Sequence, residues 1–227
     1  MNLNIPYMET DNKLLNDAYR IAAGDIVGNI VYYQNGLLTE EKPCMIAGLD
    51  YNTPWTRDTA INIWNALSIL SPEVSKNTLL AVLEEEEGNI YIDGQYWDSI
   101  IWMIGAREYC RFHKDDNFYR LAFEAGRNSV HRLEEDEFDE EDGLFRGPAV
   151  YGDGIAAYPD KYSKCPNQGS GILEWVDYPG NPVYPKGYGI PMKALSTNCV
   201  YFKAYEILAE MAHALGEPAK EFEEKAA

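Results

Sequence analysis

Pro54-Trp55-Thr56-Arg57-Asp58-Thr59-Ala60-Ile61-Asn62-Ile63-Trp64-Asn65-Ala66-Leu67-Ser68-Ile69-Leu70-Ser71 is the stretch on which the fold reading turns. Pro54 and the hydroxyl of Thr56 are start signals for a helix, and Ser71-Pro72 stops it. Between them Ala60, Ile61, Ile63, Trp64, Leu67 and Leu70 leave almost no polar face. The spacing therefore predicts a helix buried on most sides, which needs other helices to cover it.

The flanks supply such helices. Upstream, Leu14, Ala18, Ile21, Ala22 and Ile26 recur at helical spacing, which predicts a helix over about 12–33 ended by Gly36. Pro43, Gly48 and Asp50 then read as loop punctuation over 37–53. Downstream, a third helix is predicted over 72–86, amphipathic with an acidic end, followed by a turn or small strand over 89–93. A fourth spans roughly 96–113, with Trp97, Ile100, Ile101, Ile104 and Ala106. Asp115-Asp116-Asn117 caps a fifth, amphipathic helix to about Leu133. Pro and Gly punctuate about sixty residues from Glu134 to Leu195, and a loop of that length in a compact domain is usually functional. A sixth helix follows Ser196-Thr197-Asn198 and stops at Gly216, and a seventh begins with Pro218 in its first turn.

The first, third and fifth helices are amphipathic, whereas the second, fourth and sixth are nearly all apolar. This alternation is expected of helical hairpins in a double ring, outer helices half-solvated and inner ones buried. An ordinary helical bundle with polar caps fits it as well. Each inner helix starts with a polar-aromatic cluster: Trp55-Thr56-Arg57-Asp58, Tyr96-Trp97-Asp98 and Ser196-Thr197-Asn198. In a double ring those starts converge at one mouth.

Composition narrows the function classes. The formal charge of −18 excludes a surface built for a phosphate backbone or for anionic lipid. No stretch has the length of a membrane span, and Met1–Glu9 has neither the basic nor the apolar region of a signal peptide. Cys44, Cys110, Cys165 and Cys199 show no metal-ligand or redox spacing. Reduced thiols and a cytoplasmic protein are expected, with Cys110 and Cys199 buried in their helices. The aromatic fraction of 13%, with 17 tyrosines and 5 tryptophans, suits either an aromatic core or the stacking of sugar rings. No phosphate-binding glycine loop and no G-x-S-x-G elbow is present, so no cofactor is expected. His113, His131 and His213 share no motif. The run Glu134–Asp142 reads as a solvated acidic face. Asp139, Glu141, Asp142 and Gly143 comply only loosely with a calcium loop, so no metal site is assigned.

Four segments together resemble the six-hairpin glycosidases. They are Asp50-Tyr51-Asn52-Thr53-Pro54-Trp55-Thr56-Arg57-Asp58-Thr59 with its W-x-R-D pattern, Tyr96-Trp97-Asp98, Gly152-Asp153-Gly154-Ile155 with Tyr158-Pro159, and Ser196-Thr197-Asn198-Cys199. The likeness is to the group related to mannosylglycerate hydrolase, glycoside hydrolase family 63 and trehalase, and it runs over about residues 5–225. It implies an all-α fold of helical hairpins from an (α/α)6 toroid. Six complete helices and the start of a seventh would be about half of one, over residues 1–227. The remaining half would then be the partner that completes the catalytic domain. The resemblance also implies hydrolysis with inversion of a neutral α-linked sugar. Asp153, between the fifth and sixth helices, would stand where that group keeps its general acid, and the general base would lie beyond residue 227.

Inverting cleavage needs two carboxyl groups roughly 6.5–9.5 Å apart, and the acid must stay protonated near neutral pH. Tyr151, Ile155 and Tyr158 around Asp153 could supply the apolar pocket that keeps it so, although a Gly-Asp-Gly segment also reads as a plain turn. Arg57 and Asp58 read as a donor and acceptor for sugar hydroxyls, or as an ion pair with a helix cap. Trp55 and Trp97 read as stacking platforms, or as core. Asp98 could bind sugar, cap its helix or be the acid itself; Arg146 reads as a substrate contact or as a surface arginine, and Tyr96 and Tyr151 complete the candidate substrate contacts. Two further classes fit these residues. One is a non-catalytic carbohydrate-binding or scaffold fragment. The other is an epimerase or lyase on a similar double ring, which the scarcity of histidine near the motifs disfavours.

Overall fold

The computed structural model describes residues 5–48, 50–94, 96–150 and 193–227. They are mainly helical, with only short strands. In order the elements are α1 (Lys13–Gly28), β1 (Ile30–Tyr33), β2 (Lys42–Met45), α2 (Thr56–Asn62), a π-helical turn (Ile63–Leu67), α3 (Ser68–Leu70), α4 (Pro72–Ala81), β3 (Leu83–Glu86) and β4 (Asn89–Ile92). There follow α5 (Trp97–Phe112), α6 (Asp116–Glu137), β5 (Phe138–Asp139), β6 (Leu144–Phe145), α7 (Leu195–Leu215) and α8 (Lys220–Lys225). The strands form three separate antiparallel pairs, β1–β2, β3–β4 and β5–β6. The described residues fall into two compact units, one within 1–93 and 101–125 and the other within 94–100 and 126–227.

In the first unit, Asn12 caps α1 by accepting hydrogen bonds from the N–H groups of Leu14 and Leu15. The helix stops at Gly28, not near residue 33, because Ile30–Tyr33 pairs with Lys42–Met45. Pro43 does not prevent that pairing. It sits opposite Tyr32 in a two-stranded ribbon, where a missing N–H can face away from the partner strand. Gly36, at φ 59°, turns between the strands, and a Cβ there would lie 2.6 Å from the carbonyl oxygens of Leu80 and Leu83. Only glycine fits such an approach. The hydroxyl of Thr78 accepts from the Met45 N–H at 3.0 Å, and Asn77 donates to the Pro43 carbonyl at 3.2 Å, so α4 grips β2 along its side.

The predicted second helix is present from Thr56 to Leu70 but is not uniform: its middle is the π turn. Within that turn the Asn65 side chain donates to the carbonyl of Ile61 at 2.8 Å. Nor is the helix buried all round, since Trp64 is 50% exposed and Ile69 59%. Gly105 of α5 lets that helix press against α2, for a Cβ at Gly105 would stand 2.8 Å from the Cα of Ala60. The third helix is shorter than predicted. After Ala81 the chain turns into a hairpin in which Leu83 pairs with Ile92, and Glu87 (φ 51°) and Gly88 (φ 83°) make the two-residue turn. Leu83 and Ile92 are buried at the base, and the glutamates project at the tip. Trp102 is fully buried and donates to the Leu79 carbonyl at 3.3 Å. Tyr109 and Phe118 meet edge to face with centroids 5.0 Å apart, which packs α5 on the start of α6.

In the second unit, α6 runs four residues past its predicted end, to Glu137, and β5 and β6 fold directly behind it. Phe145 of β6 stacks on Tyr201 of α7 with centroids 3.6 Å apart. Helix α7 ends on Gly216 in the left-handed conformation, as predicted, whereas α8 starts at Lys220, two residues beyond Pro218. Phe222 anchors α8 by burial. Cys44 is buried and Cys110 half-buried, and burial pushes each thiol up to about 12, which keeps it an inert thiol. Cys199 is exposed, contrary to the expectation of a buried side chain. Among the described residues no helix is long and apolar enough to cross a membrane.

Candidate functional site

The W-x-R-D segment stands at the start of α2. Trp55 is the N-cap residue, extended at φ −106° and ψ 139°, and its carbonyl accepts the first helical bond from Thr59 at 2.8 Å. Thr56 therefore lies inside the helix, and its hydroxyl donates not to the cap but to the Asp93 carbonyl at 2.9 Å, tying α2 to the end of β4. Asp58 falls in the first turn, where the helix dipole favours a carboxylate. Trp55 is 36% exposed. The guanidinium of Arg57 lies 5.3 Å from the centre of its ring, and Tyr51 approaches edge-on at 6.3 Å. One short segment thus places two exposed aromatic rings beside a half-buried guanidinium and a half-buried carboxylate.

The second predicted cluster behaves differently. Tyr96 holds a left-handed backbone (φ 52°) that non-glycine residues rarely adopt, and its side chain is buried. Gly147, at φ 140°, lies flat against it: a Cβ there would be 3.1 Å from the Tyr96 ring. Trp97 is 1% exposed, so it is a core residue and offers no face for a sugar. Asp98 occupies the first turn of α5, half-buried. These residues belong to the second unit, whereas Tyr51, Trp55, Arg57 and Asp58 belong to the first.

Arg146 is drawn into an ion cluster. Its guanidinium is 2.7 Å from Asp139, and the ammonium of Lys193 is also 2.7 Å from Asp139 and bonded to Asp142. The Lys193 ammonium holds the Asp139 carboxyl below the usual carboxylate range. These carboxylates, which loosely fitted a calcium loop, are instead neutralised by the chain's own cations.

The polar cluster before the sixth helix has a structural task. The side chain of Asn198 accepts from the Phe145 N–H at 2.8 Å and donates back to the Phe145 carbonyl at 3.1 Å. Thr197 donates to the Pro148 carbonyl, Ser196 accepts from the Val150 N–H at 3.0 Å, and Gly147 bridges Lys193 in parallel. The first turn of α7 therefore clamps the strand that leads into residue 151. Tyr151 and Asp153, the latter the expected general acid, lie outside the described residues.

One feature escaped the sequence reading. In the second unit a cavity of about 840 Å³ opens beside α6, α7 and α8, lined in part by the exposed Phe138, Leu144 and Phe202. Glu134 accepts from the Tyr205 hydroxyl at 2.5 Å and from the Lys225 ammonium at 2.6 Å. Lys225 also reaches Glu221 at 2.7 Å, and His131 lies 2.9 Å from the same carboxylate. Burial, with Glu134 beside it, pushes the Tyr205 hydroxyl far above its ordinary value. Glu134, at the start of the predicted long loop, and Lys225, in the predicted seventh helix, gave no sign, 91 residues apart, that they would meet. No family model, no curated protein and no solved structure matches this chain.

Proposed function

We propose that the chain is part of an inverting glycoside hydrolase of (α/α)6 toroid type, acting on a neutral α-linked sugar with Asp153 as general acid. The observation that carries this reading is the display of Tyr51, Trp55 and Arg57 at the start of α2. An exposed tryptophan flanked by a donor of fixed geometry is the equipment for stacking a sugar ring and binding its hydroxyls. The charge of −18 favours a neutral over an acidic sugar. Asp58 would accept from the same sugar.

A second reading, a non-catalytic carbohydrate-binding module, is favoured by the engagement of Trp97 and Arg146 in the core and in an ion cluster. One experiment separates the two. The chain, joined to the remaining half that the hydrolase reading requires, is titrated with neutral α-glucosides and α-mannosides, and any hydrolysis is followed by NMR of the released anomer. The hydrolase reading expects an inverted product and a loss of roughly 10²–10⁴-fold in kcat for Asp153→Asn. Trp55→Ala should weaken binding by up to about tenfold in either reading, from lost stacking. Binding without turnover leaves the module. Absence of binding to the whole panel sinks both, and an Asp153→Asn variant as fast as wild type removes Asp153 as the acid.

A further inference from the structure

The cavity beside α6, α7 and α8 joins two chemistries. Its exposed apolar lining is Phe138, Leu144 and Phe202, whereas Phe145 and Tyr201, stacked face to face, are buried. Among the described residues its rim carries the carboxylates of Glu134, Glu135, Glu140 and Glu221 against one ammonium, Lys225, and one imidazole, His131, and is net negative. Lys225 shows what the rim selects. Its ammonium lies between Glu134 and Glu221, at 2.6 and 2.7 Å, and 5.6 Å from the centre of the Tyr205 ring. Two carboxylates and a π face around one ammonium are the elements of organic-cation recognition.

We propose that this cavity binds an organic cation, a primary ammonium carrying an aromatic or aliphatic body, whose charged group takes the position that Lys225 holds and whose body lies against Phe138, Leu144 and Phe202. Lys225 is then an internal ligand that competes for the site. The side chains of His131, Glu134 and Glu221 converge closely enough to suggest a metal ion instead. Two features favour the organic cation: the position between the carboxylates is already held by an ammonium, and an apolar lining stabilises a cation with an apolar body but supplies no ligand to a metal. The inference does not depend on the glycosidase reading, since none of these residues belongs to the Trp55 segment.

The probe is 2-phenylethylammonium, with 2-phenylethanol as its neutral counterpart, measured by titration calorimetry on the full chain. Lys225→Ala empties the position and leaves the carboxylates. It should bind the ammonium at least about tenfold more tightly than wild type, and at least about tenfold more tightly than it binds the alcohol. Adding Glu134→Gln and Glu221→Gln should abolish that gain. Lys225→Met, which keeps the aliphatic stem, serves if Lys225→Ala does not fold, and refolding of either variant by the amine counts for the proposal. Equal affinity for amine and alcohol overturns it. So does an amine affinity unchanged by loss of Lys225, or binding of zinc alone with no response to the amine.

Discussion

Asp115 stands at the start of α6 with two tasks. One carboxylate oxygen caps the helix by accepting from the Phe118 N–H at 3.0 Å, and the other receives the Lys76 ammonium at 2.6 Å. The Lys76 hydrogen bond is the main reason its carboxyl lies below the ordinary value, with the cap adding to it. A depressed folded pKa means that the unfolded chain takes up the proton first. The stabilisation is therefore complete above about pH 4, the range of an unperturbed aspartate, and fades as pH falls through the lower folded value. Asp115→Asn keeps an acceptor for the cap and loses the charge. Urea unfolding across a pH series should show it less stable than wild type by roughly 0.5–1 kcal/mol at neutral pH, converging with wild type in acid. The Asp-Asp-Asn cap was legible because capping is a local matter of a few backbone atoms. The fates of Trp55 and Trp97 were not. Each is a tryptophan near the start of an apolar helix, yet one is 36% exposed and the other 1%, because burial is decided by distant chain that local pattern does not encode.

Elements were legible where one periodicity dominates and lost where tertiary partners override it. The helices α5, α6 and α7 follow from apolar spacing to within a few residues. The four glutamates of 84–87 favour helix by intrinsic preference, but Leu83 and Ile92 are held in the core and draw the segment into a hairpin. Pro43 likewise argued for a loop and sits in a strand. The π turn was invisible because apolar residues nearly all round a helix leave no phase to read. It has a direct consequence: a π turn holds one residue more than the α-helical turn it replaces. Asn65, exposed, fills the place with a side-chain bond to Ile61. Deleting Asn65 should let the next backbone N–H take the Ile61 carbonyl and give a folded protein with an unbroken α-helix. Circular dichroism and thermal unfolding check this. Deleting Ala60, in the regular part and against Gly105, should abolish the cooperative transition.

At the scale of the whole molecule, charge and apolar exposure oppose one another. Leu14, Leu15 and Ile21 on α1, Trp64 and Ile69 on the next helix, and Phe202 on α7 are exposed. Surfaces of this kind favour self-association, whereas a charge of −18 resists it through repulsion. Salt should decide the outcome. Raising it from about 0.1 M to 1 M shortens the screening length from about 10 Å to 3 Å, so sedimentation velocity should show association increasing with salt. Replacing Ile21 and Ile69 together by Lys should suppress the effect. An association that weakens with salt would assign it to ion pairs instead.

The clamp at the first turn of α7 bears on how such a chain changes over generations. Phe145, Pro148 and Val150 are held by Asn198, Thr197 and Ser196, and Gly147 bridges Lys193. The points of departure and return, Val150 and Lys193, are thus specified by residues outside the segment between them. Ser196, Thr197 and Asn198 are thus constrained together: a change at any one of them leaves a backbone group of the Phe145–Val150 stretch without its side-chain partner.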